Sequence, residues 1–149
     1  MSNHLTLFTI SGPDHPGITA ELMGTISKLG AKLVDIGQSI THGLLSLSFI
    51  IESDTERDIL AKEIMFIAKK HNMEVEYKEV KDEIHELRSG EKYILSCVAL
   101  NGITPNFLSE IASVLAQNNI NIQRIDNITD NEFKSLDIAT TAQTENINW

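Results

Sequence analysis

Apolar and polar positions alternate along "HLTLFTI" near the start of the chain, the period of a strand with one face buried. The spacing then lengthens, and from about 16 to 29 the residues Leu22, Ile26 and Leu29 share one helical face. Two further strands are predicted at about 31–41, "AKLVDIGQSIT", and 44–52, "LLSLSFIIE", with His42-Gly43 as the turn between them. "SDTERDILAKEIMFIAKKHN" opens on a Ser/Asp cap with an acidic first turn. It closes on Lys69, Lys70 and His71, the charge order that a helix dipole favours. "MEVEYKEV" alternates strictly and predicts a strand, so the order is βαββαβ within about eighty residues.

The pattern then repeats. "KDEIHELRSGEK" (81–92) is charged, ends in Ser-Gly-Glu-Lys and reads as a linker, dividing a domain at 1–80 from a second at 93–149. "KYILSCVAL", "TPNFLSEIASVLAQNN", "INIQRIDNIT" and "EFKSLDIATT" repeat the β, α, β, β series. An offset of 89 places Pro16 on Pro105 and runs without a gap to Ile50 and Ala139. Glu21 meets Glu110, Ile36 meets Ile125, and apolar positions coincide at Ile18/Phe107, Leu22/Ile111 and Phe49/Ile138. The second helix and last strand of copy one, about 54–80, map to 143–169, whereas the sequence ends at Trp149. The second domain is therefore expected to be incomplete, lacking its second helix and final strand. That would open an apolar face around Ile94, Cys97, Ile125 and Ile138 and bare the edge of "KYILSCVAL".

Composition narrows the function. Twelve Lys and Arg stand against 21 Asp and Glu, a net charge of −9, which repels phosphate backbones and argues against a nucleic-acid partner. The RNA-binding modules that share the βαββαβ order stack bases on aromatics, and "LLSLSFII" and "FKSLDIAT" offer one Phe each. No apolar run approaches the ~18 residues of a membrane span, and "MSNHLTLF" is no secretory leader, so a cytoplasmic location is expected. The single Cys97 lies in an apolar run and reads as a small core residue. The histidines at 4, 15, 42, 71 and 85 are scattered, without metal-ligand spacing.

The stretch "SGPDHPGITAEL" (11–22) packs two prolines and two glycines into the joint between the first strand and helix. Asp14 is the expected N-cap, with His15 and Pro16 in the first turn. Gly17 then leaves the backbone uncovered, so the amides near Gly17 and Ile18 suit a carboxylate while Asp14 suits an ammonium group. The same residues also make a plain tight turn, and on their own they leave both readings open. In "VDIGQS", Gly37 permits close backbone approach or a bulge, and Gln38 offers a donor and an acceptor.

The duplicated βαββαβ order with its D-x-x-P-G-I loop resembles a pair of ACT domains, ferredoxin-like modules that usually bind amino acids. "GPDHPGITAELMGTISKLGAKLVDIGQSITHGLLSLSFIIE" is most similar to the N-terminal regulatory region of ACT-containing phosphoserine phosphatases. The loop alone is shared with the glycine-cleavage repressor and formyltetrahydrofolate deformylase. The resemblance implies an α+β fold of two ferredoxin-like units, each an antiparallel sheet with helices on one face. It also implies amino-acid binding, L-serine favoured, at Asp14, His15, Gly17, Ile18, Ile36, Gly37 and Gln38, in a homo-oligomer. Copy two departs from the pattern, with Asn106 where copy one has Gly17. The phosphatase's D-x-D motif is missing, since "DIAT" (137–140) has Ala139 at its second position. No catalysis and no cofactor are expected of this chain, Mg²⁺ belonging to the parent's catalytic domain. The alternative is a stand-alone regulator like the glycine-cleavage repressor, acting through protein partners.

Overall fold

A computed structural model describes residues 4–81, 90–100, 102–128 and 134–142. The chain divides into two compact units, Met1–Asp82 and Glu83–Trp149. The first contains β1 (His4–Pro13), α1 (Ile18–Lys28), β2 (Lys32–Thr41), β3 (Leu44–Ser53), α2 (Arg57–Lys70) and β4 (Glu74–Glu79). Its strands form one antiparallel sheet in the order β2-β3-β1-β4, the ferredoxin-like arrangement expected.

Alternation decides which face is buried. Thr6, Phe8 and Ile10 of β1 pair with Ile51, Phe49 and Leu47 of β3, and directly paired residues share a face. These side chains are almost fully buried, under Ile18, Leu22 and Ile26 of α1 and Leu60, Ile64 and Ile67 of α2. The rings of Phe8 and Phe49 stack with centroids 5.5 Å apart, and Tyr77 of β4 continues the stack at 5.7 Å from Phe8. Beyond the helices, β2 carries the same face outward, leaving Leu33, Ile36 and Ile40 about half exposed.

Three local expectations are corrected. Helix α1 starts at Ile18 and its N-cap is Gly17, at φ 98°, with no side-chain cap. Asp14 is not the cap: its N–H donates to Gly43 O at 2.9 Å, because the left-handed Gly17 delays the helix and leaves His15 and Pro16 in the loop. Helix α2 likewise has no side-chain cap; Ser53 Oγ accepts from the Thr55 N–H at 3.0 Å, a turn ahead of the helix. The irregularity of β2 falls between Leu33 and Asp35, and Gly37 pairs regularly with Ser48. His42 and Gly43, at φ 49° and 75°, do form the two-residue hairpin turn.

The second unit contains β5 (Glu91–Ala99), α3 (Pro105–Gln117), β6 (Ile120–Asn127) and β7 (Lys134–Ala142), with the antiparallel order β5-β7-β6. The repeat extends to the backbone. The register of β6 shifts between Ile122 and Arg124, which is the Leu33/Asp35 shift of β2 displaced by the same offset. Ile125 then faces Ile138 as Ile36 faces Phe49. The core is far smaller: Leu115, Ile120 and Ala142, with Ile111 and Ile122 against them. Of the four residues expected on an open face, Ile94 and Ile125 are exposed but Cys97 and Ile138 are buried. Ile138 lies in the central strand β7, whereas Ile94 points to the opposite face of β5 and Ile125 sits on the edge strand. The expected loss of a second helix and last strand concerns residues past Ala142, outside the described residues. So does most of the 81–92 linker.

Deleting the buried ring at one end of the stack tests this packing. Phe49→Ala should destabilise the first unit by about 3–5 kcal/mol, whereas Leu33→Ala on the exposed end of the same face should cost about 1 kcal/mol or less. Urea unfolding followed by circular dichroism measures both.

Candidate functional site

The βα loop of the first unit is fixed at both ends. At Gly12 a Cβ would lie 3.1 Å from Met73 Cα and from Asn72 O, so only glycine lets β1 run against the turn that follows α2. The Asp14 bond to Gly43 ties the loop to the β2–β3 hairpin. Gly17 then takes its left-handed conformation with nothing within 4 Å of where a Cβ would stand. The first backbone bond of α1 is Glu21 N–H to Gly17 O at 3.0 Å. The N–H groups of Ile18, Thr19 and Ala20 precede it and have no acceptor within the helix. No side chain caps them.

Strand β2 reaches this opening through one polar contact. Thr19 Oγ1 donates to Gln38 Oε1 at 2.8 Å. Ile36 and Gln38 face the helices, since they pair with the buried Phe49 and Leu47. Gly37, between them, directs its missing side chain to the other face. The structure therefore brings the Asp14–Ile18 loop, Ile36 and Gln38 onto one side of the sheet, and Gly37 only by its backbone.

Beside the loop lies a charged cluster that sequence reasoning missed. His71, the C-cap of α2 with its side chain 15% exposed, donates from Nε2 to Glu21 Oε2 at 2.6 Å. Lys70 Nζ donates to the other carboxylate oxygen at 2.9 Å. The ring of His15 lies against that of His71, centroids 4.5 Å apart and planes at 50°, with its Nδ1 directed at Pro16 O, 3.2 Å away. Bonds from Lys70 and then His71 hold the Glu21 carboxyl below its ordinary pKa, outweighing a smaller desolvation that acts the other way. Lys70 and His71 are read from sequence as dipole partners of α2 alone. The one available hint is the coincidence of Glu21 with Glu110 in the repeat.

Copy two has a different loop. Thr104 Oγ1 accepts from the Phe107 N–H at 3.2 Å, and Pro105 fills the first turn, so the start of α3 is capped from within. Asn106, in the place of Gly17, donates to Glu110 Oε1 at 3.3 Å. The shared glutamate thus serves a local contact here. Among the described residues, no group of three or more His, Cys, Asp or Glu side chains could hold a metal ion. None of their helices is long and apolar enough to cross a membrane. A shallow depression over Leu7, Thr9, Glu76 and Lys78 lies on the helix-free face of the first sheet, away from the loop.

A four-stranded antiparallel sheet, two helices on one face and a glycine-opened βα loop define a ferredoxin-like module. The ACT domain family matches residues 4–78, and the chain belongs to that family. No curated protein matches it. Among solved structures, one assigned as a glycine cleavage system transcriptional repressor is similar, with 13% identity and a TM-score of 0.71. That match covers 94% of this chain and 81% of the other. A protein from Galdieria sulphuraria is similar at 11% identity and a TM-score of 0.68, over 93% of this chain and 81% of its own. At these identities the likeness is one of fold, and it extends over both units.

The Glu21 cluster carries a pH signature of definite sign. A carboxyl held low in the folded state adds stability above its unfolded pKa, and that stability is lost as pH falls through the folded value. Glu21→Gln should therefore be less stable than the parent at neutral pH, with the difference shrinking away in strong acid as the folded-state carboxyl is protonated. Paired urea titrations at the two pH values measure it.

Proposed function

We propose that the first unit is an amino-acid sensor, binding a small amino acid, L-serine favoured, where the Asp14–Ile18 loop meets Ile36 and Gln38. The observation that carries this reading is the uncapped start of α1 beside the Thr19–Gln38 bond. Three backbone amides at the positive end of a helix suit an α-carboxylate. Asp14 is exposed and offers a negative charge for the ammonium group. The Gln38 amide keeps its own N–H donors, and Thr19 a lone pair, for a short hydroxyl-bearing side chain. His15, at the back of the loop, supports its shape. Gly37 contributes backbone only.

On the resemblance of "VDIGQS" and "HGLLSLSFII", the parent is taken to be a phosphoserine phosphatase acting in serine biosynthesis, with this chain as its regulatory region and the Mg²⁺-dependent hydrolase elsewhere. A second reading is favoured by a different observation. The fold likeness to the structure assigned as a glycine cleavage system transcriptional repressor spans both units and most of both chains. A stand-alone regulator acting through protein partners would have that span. A D-x-D-bearing domain encoded after residue 149 decides for the first reading, and a stop codon near residue 180 for the second. In either case a homo-oligomer is proposed, since β2, the outer strand of the sheet among the described residues, carries exposed Leu33, Ile36 and Ile40.

Isothermal titration calorimetry with L-serine and the other amino acids tests the site. Gly17→Val, which covers the amides, and Gln38→Ala, which leaves the backbone untouched, should each weaken serine binding at least about tenfold, the loss expected when a polar partner worth ~1.4 kcal/mol is removed. Folded variants that bind as the parent does would place the ligand elsewhere.

A further inference from the structure

The His15–His71 contact joins the loop to the far end of α2, outside the hydrophobic core and outside the groups proposed to touch the ligand. We propose that the two imidazoles form an acid-sensitive clasp, packing together when at most one is charged and parting when both are. The proposal rests on the reading of the Asp14–Ile18 loop as the ligand site, whose regulation it supplies.

The charge inventory around the rings sets the behaviour. Glu21 of α1 bonds His71 and shares its second oxygen with Lys70 of α2. Asp14 adjoins His15 in the loop, and Lys69 shares the last turn of α2. Glu74, at the start of β4, lies across from Ser11 on the helix-free face and so is turned away. With neutral rings, Lys70 and Glu21 cancel. One proton on the pair is accommodated by the carboxylate already bonded to His71. A second puts two cations 4.5 Å apart beside Lys70, with the Glu21 carboxylate already shared between Lys70 and His71 and only the exposed Asp14 adjoining His15. That distance is well inside the Debye length of about 8–10 Å, so salt does not remove the repulsion. The second charge also falls next to the amide-rich start of α1, where positive charge is disfavoured.

The rings can separate at little cost to the fold. His15 lies outside α1, and its ring is held by His71 and by the weak Nδ1 contact to its neighbour's carbonyl. Imidazoles ordinarily change charge between about pH 5 and 8, above the range in which Glu21 is neutralised. The clasp therefore opens in mild acid with the Glu21 bridge still intact. With the ring of His15 released, the Asp14–Gly17 loop that borders the amides of Ile18 to Ala20 is no longer held in place, and amino-acid affinity falls.

Amide hydrogen exchange of the full chain tests the clasp without any ligand. The reporters are the Asp14 and Glu21 N–H groups, bonded to Gly43 O and Gly17 O. Corrected for intrinsic rate, their protection should fall about tenfold from pH 7.5 to 5.5 in the parent, while amides of β1 and β3 hold constant. In His71→Gln, whose amide can still donate to Glu21, and in His15→Gln, the change should shrink to within about twofold. Protection that is independent of pH in the parent, or that falls equally in both variants, would overturn the proposal. Calorimetry with L-serine at pH 7.5 and 5.5 reads the ligand site separately. Clasp behaviour in a chain that binds no serine would refute the site alone, and pH-independent serine binding the clasp alone.

Discussion

Everything in the first unit is positioned by the requirement that β1 and β3 hide one face. They are the two central strands, and each is paired on both sides. Their inward residues alternate without a break from Thr6 to Ile10 and from Leu45 to Ile51. With hydrogen bonds satisfied along both edges, helices can reach these strands only from above, and α1 and α2 lay their apolar stripes there. The ends of those helices fall where the sheet puts them. That places the start of α1 and the end of α2 side by side, next to the loop that leaves β1.

The loop inherits its character from that junction. Its backbone is pinned by glycine packing at Gly12 and by the Asp14 bond to the hairpin, while its tip carries no cap and little cover. Rigid anchors around an open tip are what an amide-based anion site needs, because the donors are held in place before a ligand arrives. The price appears in copy two, where Thr104 and Pro105 give a better helix start and a closed one. The duplicated units thus differ in structure at this loop while keeping the same backbone register.

Periodicity made most of the fold legible. Strict alternation in "HLTLFTI", "LLSLSFII" and "MEVEYKEV" marks strands that are buried on one side, and the offset of the repeat recovers even the pairing of copy two. Caps were harder, because a Ser, Asp or Thr near a helix start has several backbone groups within reach. Asp14 and Ser53 both look like caps and serve turns instead, while Thr104 is a true cap. For the candidate site, turn chemistry and a strand glycine pointed to the loop residues and Gln38, and the structure joins the two by the Thr19–Gln38 bond. Glu21, Lys70 and His71 were not, since the contact joins residues about fifty apart in sequence through the helix packing itself. Gly37 misled for the opposite reason: a glycine in a strand suggests a bulge, but the extra residue lies at Val34, which has nothing unusual about its side chain.

That extra residue sets the phase of the strand. Leu33 and Ile36 face the same way although they are three apart, because two residues of β2 stand against Ile50 alone. All that follows along β2 is turned over by one step relative to a regular strand. Gln38 looks toward α1, and Ser39 away from it, by virtue of a backbone count made a few residues earlier. Copy two repeats the count and sets Asn127 where Gln38 stands. The polarity of the mouth is therefore encoded as a position in a rhythm, and a side chain can be exchanged there without disturbing the rhythm that aims it.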